Sequence, residues 1–264
     1  GDDGESTVLS FALSKEYDNG LDFTVSYAYT QSEDVNPMTS SVAGSNFGNL
    51  AVTDPNDPSL ATSNYEVPHR FTFKLGYKHE FFDGYLTRFN LFGQASEGRP
   101  YSYTYNRSDR EFGDNNWNGS RQLMYIPLEN DPNVVYDMSA EEIADMNAWI
   151  EKEGLTRGAT VGRNDFNADW YVKFDVKISQ EIPGFMDGHK GNVFFTIKNV
   201  GNLLNDDWGV LKEGAFVGNR MVDMSYDSDN DQYIYEGFSK NAAQQDVQNS
   251  GSLWQMRVGV NYRF

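Results

Sequence analysis

Asp227, Asp229 and Asp231 stand at alternate positions in the run Asp227-Ser228-Asp229-Asn230-Asp231. Carboxylates so spaced can converge on one hard cation such as Ca2+. Gln232 sits where a calcium loop turns on glycine, and Phe238 where it supplies a bidentate glutamate, so an EF-hand is excluded; a looser site drawing on Asp223 or Glu236 is what the spacing allows. Asp54, Asn56 and Asp57 repeat the pattern more weakly. The three histidines, His69, His79 and His189, are scattered without paired ligand spacing, and the absence of cysteine removes thiolate-metal, disulfide and cysteine-nucleophile chemistry together. Ser120 and Ser179 lie near acids, but no nucleophile elbow, phosphate loop or zinc signature accompanies them. The expectation is a protein without catalytic residues or bound cofactor, with Ca2+ in a loop as its one metal reading.

A second set of chemically active residues is ordered by strand periodicity. Lys74, Lys78, Arg88, Lys173, Asp175, Lys177, Lys198 and Arg257 all fall on the polar phase of segments whose other phase is apolar. Seven such segments can be marked. Leu9, Phe11 and Leu13 alternate with small polar residues, and Leu21, Phe23, Val25, Tyr27 and Tyr29 do so after the turn Tyr17-Asp18-Asn19-Gly20. Phe71, Phe73, Leu75 and Tyr77 form the third, and Asp83-Gly84 turns it into the fourth, with Tyr85, Thr87, Phe89 and Leu91; this one reads as continuing into Tyr101, Tyr103 and Tyr105. Trp170, Val172, Phe174, Val176 and Ile178 mark the fifth, Val193, Phe195 and Ile197 the sixth. The seventh ends the chain: Trp254, Met256, Val258, Val260, Tyr262 and Phe264 alternate with Gln255, Arg257, Gly259, Asn261 and Arg263.

A terminal strand of this length, closing on an aromatic, suits a bacterial outer-membrane barrel, whose strands cross hydrocarbon in about 9–11 residues. Its apolar phase would serve as the membrane-insertion signal. Connections between the segments alternate short and long, as periplasmic turns and extracellular loops do. Ser32–Pro68 carries five acids and no base, Asn106–Ala168 twelve acids and six bases, Asn205–Gly251 nine and three. The long connections therefore hold -17 of the net charge of -18. That charge makes nucleic acid an unsuitable partner. Mean hydropathy is -0.63, and no apolar run is long enough for a membrane helix, a test that barrels escape. Aromatics gather near the expected interfaces, Tyr27, Tyr29, Trp170 and Trp254 at the loop side and Phe81, Phe82, Tyr85 and Tyr262 at the turn side. In the second long connection, Ser139 and Glu142 form a capping-box pattern, and Ile143, Met146, Trp149 and Ile150 share a helix face until Gly154. The competing reading is a secreted carbohydrate-binding β-sandwich, which shows the same alternation.

Four short stretches, in order, resemble the C-terminal part of TonB-dependent outer-membrane receptors, in particular the Oar-like branch: Val67-Pro68-His69-Arg70-Phe71, Gly98-Arg99-Pro100-Tyr101-Ser102-Tyr103-Thr104-Tyr105, Lys198-Asn199-Val200-Gly201-Asn202-Leu203-Leu204-Asn205 and Tyr262-Arg263-Phe264. The resemblance implies an all-β, antiparallel transmembrane barrel segment of about seven strands, residues 1–264, from the end of a barrel of about 22 strands whose plug domain lies outside this chain. It further implies partners: outer-membrane lipid, an N-terminal plug that contacts the lumen-facing charges, the TonB complex acting through that plug, the barrel-assembly machinery, and a scarce solute of unknown identity captured by the loops. A surface-interaction or export-associated barrel, adhesin-like and without nutrient uptake, is the alternative of another class.

Overall fold

The computed structural model describes residues 4–106, 120–243 and 245–264. Seven long strands run side by side in chain order: β1 (Glu5–Glu16), β2 (Leu21–Asp34), β3 (His69–Phe82), β4 (Tyr85–Ser96), β5 (Tyr171–Pro183), β6 (Lys190–Lys198) and β7 (Gln255–Arg263). Every neighbouring pair is antiparallel. Each contains one of the seven alternating segments, and Trp254 stands just before β7 rather than within it. The sheet is open, since among the described residues no ladder joins β1 to β7. Between β1 and β2, Gly20 takes φ 89°, and a Cβ there would sit 2.1 Å from the Lys78 carbonyl oxygen, so the turn admits only glycine.

Register carries the two-sided pattern across the whole sheet. Tyr27 faces Phe11 and Phe71, Val25 faces Leu13 and Phe73, Ile178 faces Phe89 and Phe195, and Phe195 faces Val258. Phe174 lays its ring over Gly93, where an added Cβ would meet it at 2.8 Å. Because the side-chain period is two, a slip of one residue would turn this face over everywhere, so the pairing is strongly specified. Phe174 is nonetheless 42% exposed and Val258 67%, and among the described residues the clustered hydrophobic core contains none from the seven strands. A sandwich buries this face against a second sheet about 10 Å away. Among the described residues no second sheet covers it, which removes the sandwich reading and leaves a face suited to lipid.

Aromatic side chains border that face at both ends. On the loop side Tyr27 packs on Phe71 (4.7 Å between centroids), Tyr29 on His69 (5.4 Å) and His69 on Trp170 (6.4 Å), and Tyr27 Oη lies 2.9 Å from His69 Nδ1. On the turn side His79 contacts Tyr77 and Phe81, and His189 contacts Tyr262. All three histidines are thus members of the two girdles. His69 and His79 are ten positions apart on β3; at a rise of about 3.4 Å and a tilt of about 40°, this separates the girdles by roughly 26 Å, the height of an outer-membrane apolar band.

The core lies elsewhere, in a body built by the long connections. Tyr103–Asn106, Asn219–Asp227, Gln232–Phe238 and Val134–Tyr136 form a four-stranded sheet in that spatial order, joining the second and third connections. Tyr101, Tyr103 and Tyr105 therefore do not prolong β4, which ends at Ser96. The backbone turns away at Gly98, where a Cβ would lie 2.5 Å from Ala168, and the tyrosines enter the loop core with Met124, Ile126, Met221 and Tyr235. The helix Ala140–Glu153 covers this sheet with Met146, Trp149 and Ile150; Ser139 and Glu142 complete its capping box and Gly154 closes it in the left-handed conformation. The first connection joins through Arg163, 3.0 Å from Asp34, and through Asn164, whose amide donates to the Thr62 carbonyl at 2.7 Å.

Candidate functional site

Parity assigns every in-register charge on the polar face. That face presents Arg70, Lys74, Lys78 and Arg88 from β3 and β4, Lys173 and Lys177 from β5, Lys190 and Lys198 from β6, and Arg257 and Arg263 from β7, ten bases against the five acids Glu16, Asp22, Asp34, Asp175 and Glu181. A chain of net charge -18 thus shows a net positive sheet face beneath acidic loops. Neutralisation is uneven along it. Lys78 meets Glu16 at 2.6 Å, Lys74 meets Asp22 at 3.0 Å, Glu181 is shared by Arg88 (3.0 Å) and Lys190 (3.5 Å), and Lys173 lies 3.6 Å from Asp175. Lys177, Lys198 and Arg257 line one pocket of the face, and among the described residues none of them forms an ion pair with a carboxylate. Lys177 instead stands over the Phe194 ring at 5.2 Å. Phe194 and Gly259 are a matched pair, the ring filling the space a Cβ would occupy at 2.3 Å. Arg70, Lys190 and Arg263 were not among the lumen candidates that the sequence suggested, although their parity marks them.

The three aspartates lie apart from this face, in the hairpin between Asn219–Asp227 and Gln232–Phe238. Asp227 accepts the backbone N–H groups of Asp229 (2.9 Å) and Asn230 (3.2 Å) and the Asn230 amide (2.7 Å), which together hold its carboxyl below the usual aspartate range. Asp231 adopts φ 58° and accepts from the Tyr226 hydroxyl. Among the described residues no three His, Asp or Glu side chains gather to hold a metal ion. The Asp227 carboxylate serves the turn, because a short Asx side chain readily bonds backbone two residues on. Asp223 is engaged by Asn106 and Glu236 by Ser225.

The loop body holds two further features that pattern alone did not reveal. Asp131 is buried, and burial by itself would raise its carboxyl; the N–H groups of Leu128 and Asn133 and the Tyr125 hydroxyl outweigh this and hold it below the usual range. Burial and the Asp131 carboxylate push the Tyr125 hydroxyl up to about 12. The second is a cleft of about 500 Å³ to which all three long connections contribute, with Tyr65, Arg99, Tyr101, Glu213, Phe216 and Asp246 in its lining. Glu213 and Asp246 are direct cross-strand partners, a like-charge juxtaposition that costs stability unless something cationic lies near.

An open antiparallel sheet, apolar and bare on one side, charged on the other, belted by aromatics and crowned by long loops, is the wall of an outer-membrane β-barrel. The family model of the outer membrane beta barrel domain matches residues 7–205, so the chain belongs to that family and is a protein of the bacterial outer membrane. No curated protein and no solved structure matches it.

Proposed function

We propose that this chain is the C-terminal wall and extracellular body of a TonB-dependent receptor of the Oar-like branch, acting in TonB-coupled uptake of a scarce solute. The observation that carries the reading is the reversal of charge between loops and inner face. Acidic loops draw a cationic or metal-bearing solute by their summed field, and the cleft between the three connections is where such a solute would be held. The same solute is repelled by a basic wall. Lys177, Lys198 and Arg257 therefore serve a resident acidic polypeptide, the plug, through which the TonB complex acts. Among the described residues the outer edges of β1 and β7 are unpaired, which supports membership of a larger barrel, since an open edge in hydrocarbon leaves backbone groups unsatisfied. β7, with its apolar phase from Met256 to Phe264, is what the barrel-assembly machinery would read.

The test is made on the full-length receptor in outer-membrane vesicles, with Lys177, Lys198 and Arg257 all replaced by Glu. The expected result is faster proteolytic release of the plug with unchanged heat-modifiable mobility of the barrel. Equal protection of the plug, or a parent protein that encodes none, refutes the reading and favours the adhesin-like alternative, to which the self-contained core of the loop body lends its own support.

A further inference from the structure

After β6 the chain builds a bracket on the lipid side of the sheet. Asn199, 2% exposed and at φ 51°, donates its amide to the carbonyls of Gly209 (2.8 Å) and Ser252 (2.6 Å), while its N–H donates to Asp175 Oδ1 at 2.8 Å. Gly209, at φ 62°, makes the close approach possible, for a Cβ there would lie 2.0 Å from Asn199 Oδ1. Asn202 donates to the carbonyls of Asp206 and Trp208, both at 3.0 Å. Residues 200–210 are in this way clamped at both ends and carry Trp208 out over the start of β5, where Val172 and Phe174 follow Trp170, the residue just before the strand, on the apolar phase. A groove of about 400 Å³ remains between Trp208 and β5, and the Asp169–Lys212 ion pair, 2.8 Å, belongs to its lining. Trp208 is 57% exposed although three amide hydrogen bonds fix the backbone around it.

We propose that this groove is a lipid site that seats one acyl chain of an outer-leaflet lipid and so pins the base of the third extracellular connection to the membrane. Three observations select that occupant. The floor, Val172 and Phe174, is continuous with the face that an outer-membrane barrel turns to lipid. Trp170 stacks on His69 in the loop-side girdle, which sets the groove at the depth where acyl chains meet headgroups. The charged pair Asp169–Lys212 supplies polar lining at that same level, where headgroups can meet it. The inference depends on family membership and not on the receptor reading above.

The chain contains no cysteine, so an introduced thiol is the only one within it, and any cysteine of the full-length protein outside it is first changed to serine. The full-length protein in outer-membrane vesicles is labelled with a nitroxide at Val210→Cys, with Val258→Cys as the lipid-face reference and Phe216→Cys as the loop reference. Collision rates with oxygen and with a water-soluble nickel chelate are then compared. The expected oxygen-to-nickel ratio at 210 matches that at 258 and is several-fold above that at 216, and it falls toward the loop value when Trp208→Gln is added. Free access of nickel to 210 overturns the proposal by showing a water-filled groove. Exclusion of both probes overturns it by showing a protein cover, such as a second copy. If Val210→Cys does not assemble, Asp207→Cys labels the rim of the same groove.

Discussion

Val176 and Thr196 offer a direct measurement of which side of the sheet meets lipid. Val176 lies halfway along β5 between Trp170 and Ile182, facing Leu91 and Ile197 on the apolar side. Thr196 lies one position from Ile197 on the adjacent strand but on the opposite face, between Lys177 and Arg257. Lysine at the midplane of a lipid-facing strand costs about 2–4 kcal/mol, because the ammonium must be carried out of hydrocarbon or the bilayer distorted around it. Lysine at 196 enters water, and its penalty is the like-charge contact with two cross-strand cations, about 0.2–1 kcal/mol. The control is deliberately unfavourable, and Val176→Lys should still exceed Thr196→Lys by at least about 1 kcal/mol, roughly fivefold in the folded-to-unfolded ratio. Urea titration of the full-length protein in lipid vesicles, followed by heat-modifiable mobility, reads this difference. A larger cost for Thr196→Lys would reverse the assignment of faces, and with it the basic inner wall and the lipid groove.

Two further outcomes concern the loop body. Tyr235 donates its hydroxyl to the Tyr125 carbonyl at 2.6 Å and lies 2.8 Å from the Tyr105 hydroxyl, which takes the Tyr125 N–H at 3.0 Å. Tyr235→Phe orphans a buried carbonyl and should destabilise the body by about 1–3 kcal/mol, read as faster amide exchange in Val134–Tyr136 while β1–β7 stay protected. The depressed carboxyl of Asp131 contributes stability that is complete above the unfolded aspartate value of 3.8 and is lost as pH falls through the lower folded value. Acid titration should therefore loosen the loop body below about pH 4, and Asp131→Asn should weaken it at neutral pH while flattening that acid limb.

The residues alone were enough for the sheet, because a period of two reports directly which phase must leave water. Each of the seven alternating segments falls on one of the seven neighbouring strands, with Trp170, Trp254 and Phe264 just beyond the strand ends, and the capping box at Ser139 and the turns at Gly20 and Gly84 stand where local chemistry demands them. The aspartate run shows a limit of spacing, which states only that oxygens could converge; in the structure the hairpin turns Asp227 toward its own backbone and Asp231 toward the Tyr226 hydroxyl. Tyr101, Tyr103 and Tyr105 misled for a related reason, since alternation is identical in a barrel strand and in a strand of a loop core.

What the sequence determined by itself was local: the two-faced strands, their turns, the aromatic belts and the acidity of the long connections. The tertiary structure decided what depends on contacts between distant segments. Register across six strand pairs summed scattered lysines and arginines into a basic wall, and two separate loops pooled their apolar residues into one core. Neither can be read from a single segment, because a charge acquires its partner, and an apolar side chain its shelter, only when the chain returns to the same place.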